Sequence, residues 1–272
     1  VVLPDGLSVA VRCEGPENAP PVVFLHGNPD SSTTWAPTLA LLRGGAPLRC
    51  ICPDMPGFGQ SPTPPRGFDY LPGSTVPLWD ALFASLNVEG PVTLVVHDFG
   101  GPWLLPWAAR RPERVAGVVV VDSPYSPAFP WHPFARIWQT PVLGELSALS
   151  SPRALFRWEM RRGSQGLPVA YCDAAHAESG VAMRLCVLRT YRAWRDIPGI
   201  LGAELPRLLV ALRGTPVRVL HGARDPYISA DHAEVFGVAP QVVPNVGHWL
   251  QVERPDLVAE AVRAVQAELG DG

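Results

Sequence analysis

The 272-residue chain contains no lysine; all 22 of its basic residues are arginine. The bias is read as genomic composition, with no functional meaning attached. Basic charge is nowhere concentrated. The densest runs are the pairs Arg110-Arg111 and Arg161-Arg162, and the formal net charge is −3. Without a basic stripe there is no electrostatic footprint for nucleic acid. No apolar run approaches the roughly 18 residues that a membrane-spanning helix needs. The opening stretch, VVLPDGLSV, has neither a charged n-region nor an apolar h-region, so no secretory signal is expected there. The five cysteines, Cys13, Cys50, Cys52, Cys172 and Cys186, show no CxxC spacing, which argues against a disulfide framework or a zinc site. Buried, reduced thiols are expected, and with them a cytoplasmic location. Proline and glycine, 32 and 25 residues, stay below the level of a low-complexity chain.

What is present is a globular pattern. Hydrophobic residues make up 47% of the chain, and the length suits one large α/β domain or a core with an inserted lid. The short β-branched runs Val22–Leu25, Leu94–Val96, Val118–Val121 and Val217–Leu220 read as strands. Their unbroken apolar character suits strands covered on both faces of a parallel sheet. Trp35–Leu42, Leu78–Leu86, Trp103–Arg110 and Leu257–Leu269 read as helices. Strand and helix in alternation predict a doubly wound α/β core. The alternation fails across residues 124–212, which hold Trp131, Trp138, Trp158 and Trp194 and look helical throughout. That segment is expected to be a helical cap between two parts of the core, 1–123 and 213–272. Caps on such scaffolds shape pockets and exclude water.

The motifs that carry chemistry fall at predicted strand ends. His26-Gly27-Asn28-Pro29 follows the first strand; Gly27 permits a tight turn, and the Asn28 amide is placed to meet a developing oxyanion. DMPGFGQS, Asp54 to Ser61, reads as a loop braced by Asp54 and Ser61. His97-Asp98-Phe99-Gly100-Gly101 has the form of a nucleophile elbow, with aspartate where a serine usually stands. Aspartate at a helix start is also a common N-cap, but the neighbouring motifs favour a nucleophile. Asp225 follows the VRVLHG run, and His248 sits in NVGHW. A lone histidine is more often structural, and His26, His97, His132, His176, His221 and His232 are read that way. Nucleophile, acid and histidine occur in the α/β-hydrolase order.

On HGNP, DMPGFGQS, HDFGG, GARDP and VGHW the chain resembles the α/β-hydrolase superfamily over nearly its whole length. Within it, the aspartate nucleophile resembles the epoxide hydrolase and haloalkane dehalogenase branches. The resemblance implies the α/β-hydrolase fold and a mechanism in which Asp98 displaces a leaving group from a saturated carbon. His248 then activates water against the resulting ester, with the oxyanion held by the amides of Asn28 and Phe99. Neither metal nor organic cofactor is required; the implied partners are a small apolar substrate and water. Asp225 matches the usual acid site and is preferred. Asp122, at the end of the VVVV run, matches the acid of a dehalogenase subgroup and stays open. Tyr191 matches the second of two cap tyrosines that protonate an opening epoxide. No tyrosine stands where the first is expected, near Leu143–Glu145, and Tyr125 and Tyr171 are weak substitutes. Where dehalogenases often place tryptophan after the nucleophile, this chain has Phe99, although Asn28 matches their other halide ligand and Trp138 is a further candidate. Haloacid dehalogenation is disfavoured, since Phe99 and Pro102 stand where arginines are expected. Epoxide hydrolysis is preferred over dehalogenation. A capped ligand receptor with little turnover is a third reading.

Overall fold

The structure is a computed structural model that describes residues 1–270. The first core part contains β1 (Val11–Glu14), β2 (Pro21–Leu25), α1 (Ala36–Leu42), β3 (Arg49–Pro53), α2 (Pro72–Ser85), β4 (Val92–His97), α3 (Gly100–Ala108) and β5 (Val115–Val121). Helices α4 (Pro133–Gln139), α5 (Leu143–Leu149), α6 (Arg153–Gly163), α7 (Val169–Glu178) and α8 (Val181–Ala193) follow. The chain returns through α9 (Ile197–Ala211), β6 (Val217–Gly222), β7 (Gln241–Val243), α10 (Leu250–Glu253) and α11 (Pro255–Gly270).

The strands form one sheet in the order β1-β3-β2-β4-β5-β6-β7, parallel except for β1, which pairs antiparallel with β3. β4 is buried at every residue and β5 at all but Ala116. Their valine-rich runs therefore belong at the sheet centre, where both faces are covered. On one face Leu94 and Val96 pack with Trp103, Trp79 and Leu208, while on the other Val95 packs with Trp35, Val258 and Val262. No helix among the described residues is long and apolar enough to cross a membrane.

Three strands escape a reading by apolar run. β1 is an edge strand with partly exposed residues, β3 alternates cysteine with isoleucine, and β7 has three residues, two of them exposed. Helix α2 starts at Pro72, upstream of the expected Leu78, with proline accepted in its first turn. The last helix of the segment expected as a cap, 124–212, reaches the core. Helix α9 lies against α3, where Arg110 and Glu204 form a two-point ion pair at 2.6 and 2.8 Å. We propose that the cap, expected at 124–212, ends at 196 and that α9 packs with the core. Of the expected final core part, 213–272, residues 271 and 272 lie outside the described residues.

Candidate active site

β4 and β5 are paired through Val96↔Val120 and His97↔Val121, so Asp98 and Asp122 emerge side by side at the carboxyl edge of the sheet. This edge is where open α/β sheets hold their ligands. Asp98 occupies a sharp turn with φ of 46°, a left-handed conformation that a non-glycine residue holds only under constraint. The constraint is visible. Its amide donates to the carbonyls of Val121 and Asp122 at 3.3 and 3.2 Å, and Ser123 Oγ donates to its carbonyl at 2.8 Å. The turn also needs glycine around it. A Cβ on Gly27 would lie 2.4 Å from Asp98 Cβ, and one on Gly100 would lie 2.5 Å from the Leu25 carbonyl oxygen.

The two carboxylate oxygens of Asp98 have different surroundings. Oδ2 accepts the Asn28 amide at 2.8 Å. Oδ1 faces His248 Nε2 at 3.9 Å. Burial pushes the Asp98 pKa up, and the positive charge of His248 with the amides of Asn28 and Phe99 pulls it back. His248 Nδ1 bonds Asp225 Oδ2 at 2.7 Å. Asp225 Oδ1 accepts the amides of Tyr227 and Ile228 at 2.7 and 3.1 Å, a turn that aims the other oxygen at the imidazole. Burial alone would lower the His248 pKa, but the charge and hydrogen bond of Asp225, aided by Asp98 and Asp122, raise it to about 9.

Residues 22–261 match the pattern of the alpha/beta hydrolase family. The chain belongs to that family. A haloalkane dehalogenase from Bradyrhizobium diazoefficiens is 37% identical over a stretch that covers 56% of this chain and 46% of the relative. The chain thus spans about half the length of that relative. Epoxide hydrolase 3 from Xenopus tropicalis is 25% identical over 95% of this chain and 74% of the relative. The crystal structure of a putative ancestral haloalkane dehalogenase superposes with a TM-score of 0.77 at 28% identity, covering 100% of this chain and 99% of that one.

In this alpha/beta hydrolase Asp122 is buried beside the same cluster but does not bond His248. Its Oδ1 accepts the Gly222 amide at 2.8 Å and lies 3.1 Å from His221 Nδ1, while Oδ2 has no hydrogen-bond partner. Burial and the charge of Asp225 push its pKa well up. Tyr191, on α8, reaches the site from the cap and accepts Asn28 Nδ2 at 3.3 Å. Burial and the charge of Asp98 push its phenol pKa well up, so the hydroxyl keeps its proton. The Phe99 ring packs on Tyr191, 5.0 Å between centroids, and brings no ring donor. Neither substitute tyrosine reaches the cavity. Tyr125 is sealed against Phe236, and the Tyr171 hydroxyl donates to Asp30 Oδ1 at 2.7 Å.

A cavity beside Asp98 holds about 70 Å³ of free space, and an adjoining chamber that shares Asn28, Trp138 and Phe156 holds about 120 Å³. Trp138 lines both. His132, expected to be structural, lines the first chamber, as do Tyr227 and Trp249, to which the motifs assigned no role. Trp249 had one available signal, its position directly after His248; the others had none. The lining is mostly apolar, as ligand pockets usually are.

Proposed function

We propose that this protein is a hydrolase that acts on a saturated carbon through a covalent ester on Asp98, with epoxide opening as its reaction. The observation that carries the proposal is the division of labour between the Asp98 oxygens. Oδ2 is held by a backbone amide, Oδ1 lies 3.9 Å from His248 Nε2, and Asp98 lines the cavity. A carboxylate arranged this way attacks with Oδ1. The carbon–oxygen bond of the epoxide breaks, its electron pair goes to the ring oxygen, and Tyr191 supplies the proton. Oδ2 is then the carbonyl oxygen of the ester. Water gives a proton to His248 Nε2 and attacks the ester carbon, and the negative charge grows on Oδ2 beside the amides of Asn28 and Phe99. The intermediate collapses, the departing diol oxygen takes the proton back from His248, and the acid proton left on Asp98 passes through water to the Tyr191 phenolate. Asp225 orients the imidazole; Asp122 serves the fold at the strand end. The free space near Asp98 fits a short alkyl chain.

The same first step releases halide from a haloalkane. The Asn28 carboxamide, whose Oδ1 has no partner and whose Nδ2 reaches only Tyr191, supports that second reading. The test is intact-mass analysis of His248→Gln after exposure to epoxide or to bromoalkane. An adduct on Asp98 is expected, and a single turnover of the parent in heavy-oxygen water should label that residue. Asp225→Asn should lose about 10⁴ in rate, as loss of an orienting acid does elsewhere, while Asp122→Asn keeps most activity. An unmodified Asp98 under conditions where the parent turns over would falsify the ester.

A further inference from the structure

Most hydrogen-bond donors around the cavity are already engaged within the protein. Trp131 Nε1 donates to the Arg195 carbonyl at 3.1 Å, Trp249 Nε1 to Asp30 Oδ2 at 2.7 Å, and the Tyr227 hydroxyl to Glu159 Oε1 at 2.9 Å. His132 is different. It stands directly before α4, and its Nδ1 accepts the Ala135 amide at 3.3 Å, capping the helix. A ring nitrogen that accepts an N–H carries no proton, so the proton of the neutral imidazole is on Nε2. Among the described residues, the bond from Ala135 to Nδ1 is the one hydrogen bond that engages the ring. The ring lines the same cavity as Asp98 and Tyr191, with its centroid 6.1 Å from that of Tyr191.

We propose that the Nε2–H of His132 is a second hydrogen-bond donor to the departing atom, beside Tyr191, whether that atom is halide or the oxygen of an opening epoxide. The proposal rests on the reading of Asp98 as the nucleophile. Burial, helped by the positive charges of His248 and Arg162, pushes the His132 pKa down to about 4. His132 therefore donates a hydrogen bond without giving up the proton. When the bond to carbon breaks, the electron pair moves onto the departing atom. An alkoxide then takes its proton from Tyr191, whereas a halide leaves as the anion. In either case the neutral imidazole steadies the charge as it forms. This supplies a donor that neither Phe99 nor the segment around Leu143–Glu145 provides. The donor is fixed by the helix cap, because rotating the ring to engage Nε2 elsewhere would break the bond to Ala135.

Two substitutions separate the cap from the donor. His132→Ser keeps an oxygen that caps α4 but cannot reach the cavity; His132→Phe keeps a ring and loses both nitrogens. Single-turnover alkylation of Asp98 is followed by intact mass with a terminal epoxyhexane and with bromohexane, and bromide binding by quenching of tryptophan fluorescence. His132→Ser is expected to slow alkylation about tenfold to a hundredfold, the loss of one hydrogen bond to a charged group. Bromide affinity should weaken in parallel, with ester hydrolysis unchanged. His132→Phe should show the same alkylation defect with a lower melting temperature. A defect with both substrates marks one donor serving either departing atom; a defect confined to bromohexane marks a halide ligand. Parental alkylation in His132→Ser overturns the proposal alone and leaves His132 as a cap. A defect only in ester hydrolysis also overturns it. A parent that forms no ester with either substrate overturns both this proposal and the role of Asp98.

Discussion

At the scale of the residue, the proposed chemistry turns on how Asp98 and His248 share charge. With Asp98 ionised and Asp225 bonded to Nδ1, the His248 pKa stands at about 9. An imidazole that holds its proton near neutrality is a poor base. Under the proposed mechanism alkylation changes this, because an ester is neutral and one of the charges that stabilise the imidazolium disappears. The His248 pKa then falls, and the base appears at the step that needs it. Titration of free His248 by nuclear magnetic resonance should give a value near 9. Single-turnover hydrolysis of the ester should rise with pH through a lower apparent value. The same value for both would refute the coupling. The stability consequence has a definite sign. A histidine pKa raised above its unfolded value of about 6.5 contributes in full below that pH. The contribution is lost as pH rises through about 9. Denaturation midpoints should therefore fall from neutral pH into the alkaline range, and less steeply in His248→Gln.

At the scale of the element, the histidine loop is held by the cap as well as by the core. The His248 amide donates to the Gly163 carbonyl at 3.0 Å, and the Trp249 amide to Ser164 Oγ at 2.8 Å. Both partners lie at the end of α6. Helix α7 adds a second tie, from Tyr171 through Asp30 to the Trp249 indole. Burial raises the Asp30 pKa to about 6, against the pull of these two donors. Tyr171→Phe removes one of them while keeping the ring, and the cost of a lost bond to a charged, buried group is about 1.5–3 kcal/mol. Urea unfolding should show that loss. Alkylation should change little, since the Tyr171 side chain does not line the cavity beside Asp98. Unchanged stability would mean that Tyr171 is not a tie between cap and core.

At the scale of the whole molecule, the cap is an insertion whose return path matters. Helix α9 brings the chain back from the cap to β6, and it lies on α3, the helix that begins just after Asp98. The Arg110–Glu204 pair fastens the two, with Glu204 8% exposed at its side chain and Arg110 28%. Glu204→Gln keeps the shape but leaves the guanidinium with a neutral partner. Because Arg110 is partly solvated, the expected loss is about 1–3 kcal/mol, less than for a fully buried pair. Equilibrium unfolding measures it, and the alkylation rate of the folded variant should match the parent. Parental stability would remove the pair from the account of how the insertion is closed.

Local signals in the sequence were enough for the sheet centre and for the glycines around the turn at Asp98. The strands β4 and β5 are unbroken β-branched runs, and Gly27, Gly100 and Gly101 stand where a Cβ would meet neighbouring atoms. Edge strands such as β1 and β7 were not legible, because partial exposure dilutes the apolar pattern. The sequence preferred Asp225 to Asp122 by motif alone, and the tertiary structure shows how the two acids differ in their contacts. Asp122 and Asp225 both follow strands of the same sheet, and the difference lies in where each turn sends its oxygens. Asp122, with φ of 39°, is bound to the Gly222 amide, whereas the Asp225 turn leaves Oδ2 at 2.7 Å from His248 Nδ1. Which donors of the helical segment are free was hidden for a related reason. A helix pattern shows that Trp131, His132 and Trp138 belong to one segment, but whether each donor is free depends on partners far along the chain. Trp131 gives its N–H to Arg195, 64 residues away, while the His132 ring nitrogen is held by an amide three residues on. Hydrogen bonds are decided over about 3 Å, a scale that no spacing in the sequence resolves.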